Sequence, residues 1–544
     1  MSKLQSHAAP LILGLGLWAF NSSPLLFAYL HPPAGYVGAL LPQQMDFWQY
    51  QTWMNAYHTT NAWLLPDYHA PWSTEPALLN PMCLFIGRTS AILGIDAVWV
   101  YHFLNLAFSI AGGYALLFAL RVFTESRRQA RLALLVLCCC VPVASIFALI
   151  TYAFGTANPW LHLLWLSARI HSRFDADAFV NGISGGPLVL FGTVTTILSM
   201  ALLAAYLKTN APKFLRWAGL IAGISAFGHP FEVFAIVGGG GLALLLRRGR
   251  PWSQSVRDAM WLAIPGAIGV APYLYLDYRH AWFRQAAQQN RWEPFTVPVR
   301  VLILGFPTLL CLLSYFLPLG KGSITDRLLS CWFLTVLFGE YLPWLPWSHH
   351  MLDGFYYAAA LLLVRQAARW DALRRLAATR PRLLAIPLSL LLLACLTVRA
   401  ITWREAMTAA REPGAEGSAL VSTADRGLVL WLRNHAKDSD LILAPRATAG
   451  LLATTPMHSF GSHWLFSLTW SDQLIQAYNF YRGAMDGPTA AAFLDRFGFR
   501  YILIPEGSAA AQYVTGRTPV ARIESITIYE IPNAQMRPYT SARD

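Results

Sequence analysis

The sequence predicts a polytopic α-helical membrane protein of about eleven spans, followed by a small soluble α/β domain. Three observations carry this expectation. Of 544 residues, 56% are apolar and only 13% charged, with a mean hydropathy of +0.41, a balance unlike that of a soluble chain of this length. The apolar residues form long runs, and the Arg-rich segments between them fall almost wholly on one side of the implied membrane. From Trp403 onward the chain turns polar, and helix and strand signals alternate.

Leu11 to Leu30 reads as an uncleaved first span, although Asn21-Ser22-Ser23-Pro24 interrupts it. A large polar loop, residues 31–97, follows. The next apolar run, Val98 to Leu120, ends in Arg121, Arg127, Arg128 and Arg131, a cytoplasmic signature that places the loop outside. Continuing the count, Leu132–Tyr152, Pro187–Leu207, the tight pair Trp217–Phe227 and Phe231–Leu246, Met260–Leu276, Val299–Leu319, Leu328–Leu342, Phe355–Val364 and Leu383–Ile401 cross in turn. The tight pair turns on Gly228-His229-Pro230-Phe231-Glu232, and its outgoing member is short enough to tilt or to break there. Residues 1–402 are thus the membrane domain, with the N-terminus cytoplasmic. Residues 403–544 form the external domain, with a helix at Gly427–His435, strands at Asp440–Ala444, Thr455–Phe460 and Tyr501–Pro505, helices at Ser471–Arg482 and Thr489–Phe497, and a hairpin at Ala521–Ile531.

The net charge of +13 does not point to nucleic acid, because the cations sit in short loops where they set orientation. The partner is the lipid bilayer. The seven cysteines show no CxxC or metal-type spacing and read as small packing residues.

The unusual stretch is the first loop. Asp46, Tyr50, Trp53 and Tyr57 are spaced i, i+4, i+7, i+11, so they share one face of a short helix. Pro66, Pro71, Pro76 and Pro81 then fold the chain into a stiff strap that carries Asp67 and Glu75. Asp67 reads as solvated, and the aromatic face as either an interfacial belt or a platform for a sugar. Acidic residues also favour helix N-termini, so a capping role is the structural alternative for Asp46. His458 and His463 read as loop residues unless the C-terminal domain folds back onto this loop.

An external first loop with an early Asp on an aromatic helix (MDFWQY), a proline-bounded acidic segment (WSTEPALLNP), a paired-span hinge (GHPFE) and a C-terminal α/β domain resembles the type C (GT-C) membrane glycosyltransferases. The resemblance implies a sugar donor linked to polyprenyl phosphate, an inverting displacement outside the cytoplasm, a bacterial inner-membrane location, and a glycan, lipid or protein acceptor. It makes Asp46 and Glu75 the candidate catalytic carboxylates, one activating the acceptor hydroxyl and the other binding acceptor or a divalent metal. Tyr50, Trp53, Asp67, His229, Arg284 and Arg291 are candidates for substrate binding, the cations for the departing phosphate. His349, beside His350 and near Asp353, is a candidate metal ligand with Glu75. No Asp-Glu pair heads the loop, so the sequence departs from the aminoarabinose and protein O-mannosyl branches. A transporter or lipid-carrier flippase is the alternative, but repeated halves and a charge deep within a span are not evident in the sequence. A non-catalytic envelope-assembly partner would need no acidic cluster.

Overall fold

A computed structural model describes residues 3–39, 41, 45–70, 72, 74–138, 186–289, 310–312, 322–339, 341–342, 355–413, 418–445, 455, 457–461, 470–532 and 534–536. The chain is mostly helical with a small sheet near its C-terminal end. Among the described residues, five helices are long and apolar enough to cross a membrane: His7–Leu30, Ala97–Phe123, Gly186–Thr209, Trp252–Arg279 and Ala385–Arg411. The first runs unbroken through Asn21 and Ser22, which are buried. The chain divides into two compact units, Met1–Ser22 with His102–Pro272 and Arg291–Arg404, and Ser23–Tyr101 with Tyr273–Asn290 and Glu405–Asp544.

In the first unit, small residues let helices approach closely, the packing mode available where lipid removes the hydrophobic drive. A Cβ on Gly113 would overlap the Pro10 carbonyl, and one on Gly219 the Trp261 carbonyl. The tight pair predicted around the GHPFE turn does break there. A helix ends at Gly228, and after the turn the chain continues as a π-helix, Phe234–Gly240, running into Gly241–Leu245. Gly239 lets this π-helix lie against Trp332 of the Ile324–Gly339 helix, the largest fully buried side chain described. The ends of several helices are gathered by Arg365, which is 3% exposed. Its guanidinium donates to Asp326 Oδ1 (2.5 Å), Glu125 Oε1 and Ser323 Oγ (3.0 Å each), and to the Phe123 carbonyl, while Arg369 also pairs with Asp326.

The second unit joins the first loop to the C-terminal domain. Strand β1 (Tyr36–Gly38) pairs antiparallel with β2 (Leu420–Ser422), and Ala39 N–H donates to the Ala419 carbonyl at 2.7 Å. Loop and domain therefore lie on one side of the membrane, which requires an even number of crossings between them. The domain itself is a five-stranded mixed sheet in the order β4-β3-β5-β7-β6, from β3 (Leu441–Leu443), β4 (His458–Ser459), β5 (Tyr501–Pro505), β6 (Pro519–Ile523) and β7 (Ile526–Glu530). β3 is parallel to β4 and β5, and β5-β7-β6 is antiparallel. The alternation along β3 and β5 sends Ile442, Tyr501 and Leu503 to one face, where Leu428 and Leu432 of the Thr423–His435 helix cover them. Leu441, Leu443, Ile502 and Ile504 go to the other, under Phe480, Phe493 and Phe497 of the Trp470–Tyr481 and Gly487–Phe497 helices. These elements match the helices and strands expected after Trp403, whereas the ladder with β1 carries no sequence signal.

Candidate active site

The loop helix spans Met45–Thr59, which places Asp46 in its first turn rather than at the cap; the Asp46 side chain lies outside the described set. The aromatic face predicted for this helix is its packing face. Trp53 is 7% exposed and Tyr57 fully buried, while Tyr50 is half-buried with its ring 6.1 Å from that of Trp53. The helix rests on the Pro81–Leu93 helix, where Gly87 has no room for a Cβ against the Met54 carbonyl and Tyr57 Cβ. Asn80 caps the second helix by accepting from Cys83 N–H, and Pro81 starts it, a position where a missing N–H costs nothing. Arg88 holds the turn between the two helices through the carbonyls of Thr60 (2.5 Å) and Ala62 (3.0 Å).

Leu65 and Leu78 close the strap by exchanging reciprocal backbone hydrogen bonds at 2.9 Å. Within it, Asp67 is not solvated as expected from the sequence: it is 1% exposed. The reason is tertiary. The strap lies along the C-terminal sheet, with Ser459 N–H donating to the Tyr68 carbonyl and His458 Nδ1 donating to the Ala70 carbonyl, both at 3.1 Å. His458 is thus a strand residue sealed under the strap, not a loop residue. The Asp67 carboxylate accepts from His69 N–H at 2.9 Å, but burial dominates and pushes its pKa up to about 7. Burial likewise lowers His458 to about 4. The clasp therefore holds a neutral acid and a neutral imidazole, where the unfolded chain near pH 5.5 would carry one charge of each sign.

These two shifts have opposite signs in stability. Asp67, raised when folded, favours the clasp below about pH 4 and loses that contribution as pH rises through about 7. His458, depressed when folded, costs stability below about pH 4, and the cost fades as pH rises through its ordinary value of 6.5. The parent should show little net dependence between about pH 4 and 6.5, while Asp67→Asn should unmask a rise approaching about 1.4 kcal/mol per pH unit. Hydrogen exchange of the strap across this range checks it; a flat profile in Asp67→Asn would contradict the assignment.

Glu75 is placed quite differently. Its side chain is 82% exposed, yet its backbone is pinned, because the buried Trp282 donates its indole N–H to the Glu75 carbonyl at 3.2 Å. His280 Nδ1 stands 3.2 Å from Glu75 Oε2. Both partners come from the Tyr273–Asn290 segment of the same unit, and sequence reasoning did not single them out. Arg284, from that segment, donates Nε to the Asp277 carbonyl (3.0 Å) and Nη2 to the Tyr278 carbonyl (2.6 Å). It covers the last carbonyls of the Trp252–Arg279 helix, which have no partners within the helix. Arg291 and His349, with His350, Asp353 and His463, lie outside the described residues.

In the first unit, His229 is 4% exposed and meets Glu232 through Nδ1 and Oε1 at 2.6 Å. Glu232 was not a candidate from the sequence, though a lone carboxylate inside an apolar pair of helices is a signal that could have found it. Among the described residues, no three His, Cys, Asp or Glu side chains converge as a metal site.

No protein-family model and no curated protein matches this sequence. Solved structures do. The apo oligosaccharyltransferase of Archaeoglobus fulgidus superposes with a TM-score of 0.53 at 11% identity, over 92% of this chain and 70% of its own. The arabinofuranosyltransferase AftD from Mycobacteria gives 0.56 at 12% identity, over 98% of this chain and 40% of its own. Both are type C glycosyltransferases. The fold is the GT-C fold. The Archaeoglobus GT-C enzyme is also known in complex with Zn and sulfate, at a TM-score of 0.51 and 10% identity over 91% of this chain and 68% of its own. With five apolar helices of spanning length, the present chain is a multi-pass membrane protein of that architecture.

Proposed function

We propose that the protein is an inverting membrane glycosyltransferase, moving a sugar from a polyprenyl-phosphate carrier to an acceptor outside the cytoplasm. The observation that carries this reading is Glu75, an exposed carboxylate whose backbone is pinned by a buried Trp and which faces an imidazole. A merely solvating carboxylate needs no such support. Asp46, on the helix of the same loop, is the base: it takes the proton of the acceptor hydroxyl as that oxygen bonds to the anomeric carbon. The bond from that carbon to the phosphate oxygen breaks, and the phosphate leaves with the electron pair. The His280 imidazole, 3.2 Å from Glu75 in the same unit, offsets the charge it develops. Tyr50, backed by Trp53, offers a ring face to the sugar. Glu75 and His280 supply an oxygen and a nitrogen of the types a divalent metal takes, and such an ion would add electrostatic stabilisation of the leaving phosphate.

The direct test uses proteoliposomes loaded with undecaprenyl-phosphate-linked radiolabelled sugars and inverted-membrane extract as acceptor source. Protein-dependent loss of label from the carrier to a new product is expected. Label that crosses the bilayer but stays on the carrier would favour a flippase and sink the enzyme reading.

The orientation proposed with it, loop 31–97 and domain 403–544 outside, has its own check. Cysteines placed at Thr59 and Glu506 should react with an impermeant reagent in intact spheroplasts, and one at Thr379 only after lysis. A Val37→Cys/Val421→Cys pair, directly opposite across the β1–β2 ladder, should crosslink under oxidation. Labelling of Thr59→Cys from one side and Glu506→Cys from the other would break the shared-side topology.

A further inference from the structure

Three helix ends of the first unit meet around Tyr206 and Asp258, and the charges there do not balance. The Tyr206 hydroxyl donates to Asp258 Oδ2 at 2.5 Å, and Arg250 Nη2 reaches the same oxygen at 2.9 Å. Between the Gly241–Leu245 and Trp252–Arg279 helices the chain turns through Gly249 at φ 76°, a conformation glycine adopts without strain. On either side of it, Arg247 Nη2 and Arg250 Nη1 both reach Asn210 Oδ1, at 2.5 and 3.4 Å. Both guanidiniums also lie over the Tyr206 ring, at 5.8 and 5.7 Å. Arg248 is exposed beside them, and Arg327 donates to the Leu246 carbonyl at 2.7 Å. Asp326, next to Arg327, is taken by Arg365 and Arg369, so Asp258 is the described carboxylate left to offset these cations. Their donors are correspondingly unmet. Arg247 Nη1, Arg250 Nε and the Ser255 hydroxyl are buried and, among the described residues, have no hydrogen-bond partner. Ser255 is 2% exposed and stands one turn before Asp258 on the same face of its helix. Orphaned buried donors are costly, so three in one cluster point to an acceptor from outside the chain. The helix N-terminus at Trp252 favours a negatively charged one.

We propose that Arg247, Arg250 and Ser255 bind the phosphate of an anionic phospholipid where the Gly186–Thr209, Gly241–Leu245 and Trp252–Arg279 helices end. Guanidinium groups present planar, charge-assisted donors that match phosphate oxygens, and the hydroxyl adds a third donor from the helix start. A free phosphate offers the same chemistry, but the surroundings favour a lipid. Leu242 and Leu246, one turn apart, are exposed at this end of their helix, a surface along which acyl chains can lie. Trp252, exposed on the other side of the turn, is the residue type enriched at headgroup level. Basic pockets between membrane helices hold anionic headgroups in the same manner. Such binding needs neither the loop carboxylates nor sugar transfer.

The test titrates delipidated full-length protein in detergent with phosphatidylglycerol, phosphatidylcholine and, separately, inorganic phosphate, and reads bound lipid by native mass spectrometry. Phosphatidylglycerol should bind more tightly than phosphatidylcholine. Arg247→Gln and Ser255→Ala should each weaken it by about 10–100-fold, the range for losing a hydrogen bond to a charged group. Arg250→Lys keeps the pair with Asp258 but loses the Nε donor, and should lose less. Arg128→Gln, which removes an exposed cation elsewhere in the unit, should leave binding unchanged. Lipid-free Ser255→Ala should unfold at or above the parental temperature, because it removes an orphaned donor. A variant that is no less stable and yet binds less lipid cannot owe the loss to packing, and this holds even if Arg247→Gln fails to accumulate. Parental phosphatidylglycerol affinity in Ser255→Ala and Arg250→Lys would overturn the site. An equal loss in Arg128→Gln would replace it with a diffuse surface field. Inorganic phosphate that displaces the lipid at equal concentration would overturn the lipid as its occupant.

Discussion

Asp46→Asn should insert, purify and unfold like the parent, yet lose about a hundred- to ten-thousand-fold in sugar transfer, the range for removing a positioned proton acceptor. The separation between folding and activity is what makes this variant informative. The helix containing Asp46 begins at Met45, so the residue is inside the first turn, where an acid interacts with the helix dipole for only about 0.3–1 kcal/mol. Asn keeps the size and the ability to accept a hydrogen bond. A structural Asp46 therefore predicts a small stability loss and intact turnover. Parental transfer by well-folded Asp46→Asn would move the base elsewhere, with Glu75 next in line.

The largest stability effect is expected at Arg365. Removing one member of a buried ion pair leaves the other charged and unpartnered, at a cost of about 3–5 kcal/mol. Asp326 is the partner that matters, being 7% exposed, whereas the Glu125 side chain is 61% exposed and its contact is largely screened. Arg369 still reaches Asp326, so Arg365→Met should fall near the lower figure, read from unfolding in detergent. Arg365→Met/Asp326→Leu should recover most of the loss, because no buried charge then remains. Equal instability of the single and double variants would show that shape rather than charge pairing holds these helix ends.

What could be read from the sequence was what repeats over many residues. Hydropathy gave the multi-pass helical character, and the alternation in DLILA and YILIP gave strands on a buried sheet. Readings failed where a single long-range contact decides the environment. Nothing near Asp67 says that a sheet edge from the far end of the chain will cover it. The His280 and Trp282 side chains gain meaning only once the strap brings Glu75 beside them. Glu232 was legible in principle, since a carboxylate among apolar residues is conspicuous by charge alone, but His229 beside it drew the attention.

The joining of β1 to β2 has a consequence for how the protein is made. Gly35 meets Thr423, and Ala70 meets His458, across 388 residues of chain in each case. At about 5–20 residues per second, roughly 20–80 s separate the emergence of the first partner from that of the second. Throughout that time the acidic loop has been synthesised but lacks the strand and sheet edge that hold its strap. Completion of the C-terminal domain is thus the step that locks the strap, and a chain truncated before it would leave Asp67 without the sheet edge that buries it.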